Sequence, residues 1–221
     1  PGGSHDWPAD PGWRIVPDLF NGRRLQDGVW DVAASRVVLV GREGVVFEHR
    51  AGSWTKHETG LTSTLRSVAQ LGPDEYVAVG TGGGVCHGQG SLWRPEDSGS
   101  EANLTLVLAS GEVAWAVGSR GAVLRRQAGV WTSLPPAGSD DLLGAAVLHD
   151  SVFVACADTS LIRVWDGDSW GSVAPAKWEH EETYGLVTNG DGHLYALADS
   201  MYVREATGWR TISDSHLDLA R

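Results

Sequence analysis

Short apolar runs of four to seven residues, broken by turn residues, fill most of the chain. The clearest stretch lies at 104–134, where LTLVLAS, VAWAVG, AVLRRQ and VWTSL are separated by GE, SRG and AG. Runs of this length, rich in Val, Leu and aromatics and punctuated by Gly, predict β-strands. No window of ten or more residues sets apolar side chains at i, i+3, i+4 and i+7, so almost no helix is expected. The second run of the group is apolar nearly throughout, as a strand covered on both faces requires.

The same text returns along the chain. Trp13, Trp54, Trp93, Trp131, Trp170 and Trp209 each follow a turn and stand 38–41 residues apart. Before them come VVLVG (37–41), YVAVG (76–80), VAWAVG (113–118), VFVACA (152–157) and LYALA (194–198). The pairs Gly41 and Gly44, Gly80 and Gly83, and Gly118 and Gly121 repeat a G-x-x-G turn; Ala157 and Ser160 replace it in the fourth unit. Four strands in each unit of roughly 40 residues mark a propeller blade. The predicted fold is therefore an all-β propeller of five four-stranded blades, at about 25–63, 64–102, 103–140, 141–182 and 183–215, within one domain over 13–221. Ala78, Ala116, Ala155 and Ala196 allow close approach of blades, and the repeated Trp suits the wedge between them at larger radius. Residues 1–12 read as an extended segment. GWRIVPD (12–18) matches GWRTISD (208–214), so an extra N-terminal strand is expected near the closure, outside the last blade or as the remnant of a sixth.

The run VAWAVGSRGAVLRRQAGVWTSLP, with its partners at 37–58 and 76–96, resembles the tryptophan-rich propeller repeat of bacterial proteins. It is more distantly similar to the photosystem II assembly-factor and BNR/Asp-box propellers. DGDSW at 166–170 is similar to a degenerate Asp-box turn. The sialidase relatives carry an arginine triad, a tyrosine nucleophile and an acid. Tyr76, Tyr184, Tyr195 and Tyr202 are scattered through strand text, so the resemblance implies a fold without an activity.

Charge narrows the partners. With 28 acidic and 17 basic side chains the net charge is −11, and the only lysines are Lys56 and Lys177. A nucleic-acid binder needs a positive field, and so does docking on an anionic membrane surface; neither is expected. No run of 18 apolar residues predicts a membrane span, and the first residues show no signal-peptide pattern. Cys86 and Cys156 sit singly in apolar runs and read as buried thiols, which sits better with a reducing compartment without excluding secretion. No G-x-S-x-G, H-E-x-x-H, P-loop or dinucleotide fingerprint occurs, and the eight histidines form no ligand pair, so neither cofactor, metal nor catalysis is expected.

In a rigid ring, function is carried by loops. The turns between second and third strands carry Arg42, Glu43, Thr81, Arg120, Asp158 and Asp199. The link AKWEHEE (176–182) departs from the repeat by gaining Trp178 among Glu179, His180, Glu181 and Glu182. An aromatic amid acids suits a contact with a basic or mixed protein surface. A Trp178 folded back over the boundary of the fourth and fifth units is the competing reading. The expectation is a non-catalytic protein-interaction platform. A lectin with repeated shallow sites is the alternative, set back because REG, TGG, SRG, DTS and DS do not repeat a polar set. A glycosidase-like propeller enzyme ranks below both.

Overall fold

The computed structural model describes residues 24–157, 161–173, 183, 185–189, 191–198, 200–205 and 208–212. Blade 1 contains β1 (Leu25–Asp31), β2 (Arg36–Gly41), β3 (Val46–Arg50) and β4 (Ser53–His57). Blade 2 contains β5 (Leu65–Gly72), β6 (Glu75–Gly80), β7 (Val85–Gln89) and β8 (Leu92–Glu96). Blade 3 contains β9 (Leu104–Ser110), β10 (Val113–Gly118), β11 (Val123–Gln127) and β12 (Val130–Ser133). Blade 4 follows with β13 (Leu142–Leu148), β14 (Ser151–Cys156), β15 (Ile162–Trp165) and β16 (Trp170–Ser172), and blade 5 with β17 (Gly185–Thr188), β18 (Leu194–Leu197), β19 (Met201–Glu205) and β20 (Gly208–Ile212). Every blade is an antiparallel meander in chain order. Helix is confined, among the described residues, to single 3-10 turns at 42–44, 81–83 and 119–121, where the G-x-x-G text lies. The extra strand expected at 12–18 lies outside the described residues.

Core forms between blades. Val38, Val40 and Val46 of blade 1 meet Tyr76, Ala78, Cys86 and Trp93 of blade 2. Val77, Val79 and Val85 of blade 2 meet Ala114, Ala116, Leu124 and Trp131 of blade 3. Trp115, Val117 and Val123 then meet Val152, Val154 and Trp165, and Phe153, Ala155 and Ile162 meet Leu194, Ala196 and Tyr202. Side chains alternate along each second strand, so one face serves the preceding blade and the other the next. Both must be apolar, which is why these strands read as unbroken hydrophobic text.

In blades 2 to 5 the repeated tryptophans, Trp93, Trp131, Trp170 and Trp209, face the preceding blade. Trp93 and Trp131 are buried there. In blade 4 the buried ring is Trp165, with the half-buried Trp170 tilted against it at 5.4 Å between centroids. The indole N–H groups of Trp170 and Trp209 donate to the carbonyls of Pro135 and Val173, each in the preceding link or outer strand. The end blades are covered differently. Val117 is 0% exposed, whereas the corresponding Leu197 is 37% exposed and Met201 41%. In blade 1, Val37 and Leu39 are half-buried, while Val38 and Val40 are buried. Neighbouring blades pack through their first two strands, and no described strand of blade 1 packs on blade 5 to a comparable extent.

Candidate functional site: the two ends of the propeller

One end of the molecule carries the 3-10 turns and the links. Each turn bonds to both flanking links: Thr81 N–H donates to the Thr64 carbonyl at 2.9 Å, and Gly83 N–H to the Ala102 carbonyl at 2.7 Å. Blades 1 and 3 repeat the pattern through Arg42 to Arg24 and Gly44 to Ser63, and through Ser119 to Asn103 and Gly121 to Asp140. Side chains complete the lock. The buried hydroxyls of Thr59 and Ser98 donate to the carbonyls of Gly44 and Gly83, both at 2.7 Å. Asn103 and Asp141 accept the N–H of Gly82 and Arg120, each at 3.0 Å. Much of the polar text of this end is therefore spent on joining blades.

What projects beyond the locks are the turn tips. Arg42, Glu43 and Arg120 are exposed, on blades 1 and 3, and Thr81 is half-buried between them on blade 2. Glu43, Gly82 and Arg120 hold the same left-handed conformation at φ 60°, 61° and 56°. A cleft of about 310 Å³ beside Arg120 is lined by Ser100, Glu101, Ser119 and Ser133 with apolar neighbours. The remaining sequence candidates, Asp158, Asp199, Trp178, Glu179, His180, Glu181 and Glu182, lie outside the described residues.

Two polar networks sit between blades, away from this end's surface. Tyr76 donates to Asp31 at 2.9 Å beside the buried Arg36, which pairs with Glu48 at 3.0 Å and Asp74 at 3.1 Å; His57 meets Glu48 at 2.9 Å. The backbone N–H of Ala34 holds the Asp31 carboxyl below its ordinary range, against the pull of burial. Burial, with the Asp31 contact, pushes Tyr76 up to about 12. Glu96 is the hub of the second network. It takes a two-point contact from Arg126 at 2.9 and 2.7 Å, and the Trp131 indole N–H at 2.8 Å. Burial raises its carboxyl, but these donors outweigh burial and leave it below the ordinary range. Both networks tie one blade to the next, which suits fixing the angle between blades; Arg36 meets Glu48 and Asp74 as charges in contact, without well-aligned hydrogen bonds from its Nε and Nη1. Among the described residues, no group of three or more His, Cys, Asp or Glu is arranged to hold a metal ion.

The opposite end carries the hairpins that join first to second strands. Here stand Trp30, 66% exposed, and Val32, 70% exposed, beside a cleft of about 410 Å³ lined by Asp31, Ala33, Leu71, Pro73 and Asp74. Across the arc, a second cleft of about 450 Å³ is walled by the hairpin ends of β9, β13 and β17, where Val187 is 47% exposed. Nothing in the repeat itself marks this end as a contact surface. A signal was present, because Trp30 falls outside the repeated tryptophan position just as Trp178 does.

No family model and no curated protein matches the chain. Solved structures do. The structure described as YCF48 bound to D1 peptide matches with TM-score 0.67 and 17% identity, over 86% of this chain and 67% of that one. A streptogramin B lyase matches with TM-score 0.72 and 7% identity, over 86% and 68%. The WD40 β-propeller domain of Doa1 matches with TM-score 0.67 and 16% identity, over 87% and 68%. The matched part thus spans about two thirds of each of these chains. Structures that agree so well at so little identity share an architecture, and with five four-stranded blades packed face to face this chain is a β-propeller.

Proposed function

We propose that this propeller is a non-catalytic platform that binds a protein or peptide. The observation that carries this reading is large apolar side chains held exposed at one end, Trp30 near the end of β1 and Val32 in the hairpin that follows it, next to an open cleft. Aromatic anchors in desolvated contacts commonly dominate binding energy. The alternative of an active site finds less support, because the ionisable groups described between blades already hold one another. A β-propeller neighbour whose structure contains a bound peptide supports the same reading.

The test is capture of partners by the tagged chain with crosslinking, followed by Trp30→Ala and Trp178→Ala. Loss of capture by either variant at unchanged thermal stability supports the platform and locates it. Turnover of glycoside or ester substrates by the purified chain, abolished by a single side-chain change, would replace the platform with an enzyme.

A further inference from the structure

The five segments that join first to second strands, 32–35, 73–74, 111–112, 149–150 and 189–193, contain Asp74, Glu112, Asp150 and Asp191 and no lysine or arginine. Asp74 is neutralised by Arg36. Glu112, Asp150 and Asp191 are exposed on three successive hairpins, and no salt bridge joins them to a described residue. Just inside that rim lies the cleft of about 450 Å³ formed by the ends of β9, β13 and β17. Its wall is mainly apolar, with Leu108, Val147, Leu186 and Val187. A hydrophobic slot with one sign of charge at its mouth selects by both properties at once.

We propose that this mouth receives a partner segment whose apolar side chains fill the slot and whose lysines or arginines reach the three carboxylates. The proposal rests on the protein-binding reading and names the partner's chemistry. Charge complementarity favours such a segment over the alternatives. A second copy of this chain, at net charge −11, would bring acid to acid, and an acidic peptide would meet the same repulsion. The rim hairpins continue directly from the strand ends that wall the slot, two or three residues beyond Ser110, Val147 and Thr188, so the rim and the slot act on one ligand. Apolar burial supplies affinity, and the rim supplies orientation and association rate.

The experiment is fluorescence anisotropy of the full chain with three synthetic peptides of one length: a leucine-rich core flanked by lysines, the same core flanked by glutamates, and a serine core flanked by lysines. The first is expected to bind about tenfold or more tightly than the other two. The Glu112→Gln, Asp150→Asn, Asp191→Asn triple variant should weaken it by about tenfold and flatten its salt dependence, without changing the melting temperature. Val187→Ser should weaken it while leaving the salt dependence intact. Equal binding of the serine-core peptide, or undiminished binding to the triple variant, overturns the proposal. If the peptides fail while a captured partner crosslinks to the turn-and-link end and is lost with Arg120→Glu, the platform stands and this mouth is not its site. If neither peptides nor any partner bind, both readings fall.

Discussion

At the scale of single residues, the G-x-x-G turn divides its positions sharply. Gly83 lies at φ +69°, and a Cβ there would come within 1.6 Å of the Ser100 carbonyl oxygen, whereas one on Gly82 at φ +61° meets nothing within 4 Å. Gly82→Ala should therefore cost only about 1 kcal/mol of left-handed strain. Gly83→Ala must displace a neighbouring link as well and should cost on the order of 3 kcal/mol or more. Urea denaturation of the two variants checks the ranking. Glu43 and Arg120 at the first of these positions show why sequence leaves it free. The buried Cys86 thiol is pushed up to about 12, by burial first and the nearby Glu96 charge second. It should stay silent towards a thiol reagent at neutral pH in the folded protein and react on unfolding.

At the scale of elements, the fourth strand contributes chiefly through its tryptophan. Trp131→Ala removes a ring buried between blades 2 and 3 and takes a donor from Glu96; a loss of about 3–5 kcal/mol is expected. Trp170→Ala should cost less, since that ring is half-buried and Trp165 lies against it. Glu96 joins the two blades with a sign that pH can read. Its carboxyl in the folded state lies below the ordinary value of 4.5, so its stabilisation is present above that value and is lost as pH falls through the lower, folded-state value. The wild-type melting temperature should drop on acidification below about pH 4.5, and Glu96→Gln, destabilised at neutral pH by about 2 kcal/mol, should show a shallower drop. Asp31, lowered by the Ala34 N–H, acts in the same sense and leaves a residual slope in that variant.

At the scale of the molecule, stability is a chain of blade-to-blade contacts, as in other repeat proteins. The three central blades have second strands buried on both faces, while β2 and β18 alternate between buried and partly exposed positions. Hydrogen exchange should accordingly be slowest in β6, β10 and β14 and faster in β2 and β18, reflecting local opening from the ends of the array. Uniform protection across all five blades would show that the end faces are sealed as well as the inner ones. Association with a basic partner should slow as salt rises, because the net charge of −11 steers the encounter.

Much of the fold was legible in the sequence because each blade is a local meander, and local pairing writes itself into short-range pattern. The tryptophan spacing, the unbroken apolar second strands and the paired glycines each follow from a physical demand met within one unit or between adjacent ones. The candidate site was less legible. Arg42, Glu43 and Arg120 were found at one end, but a ring of polar turn residues reads alike whether it locks blades or meets a partner. Asn103, Asp141, Thr59 and Ser98 prove to be locks. Trp30 and the acidic hairpins passed as ordinary loop text, since no single unit shows that three hairpins converge on one apolar slot. Sequence by itself determined the blades, their strand order and which side chains are apolar. Only the tertiary structure decided which of those apolar faces are covered and which stay open, because burial depends on what the neighbouring blade presents and not on the residue itself.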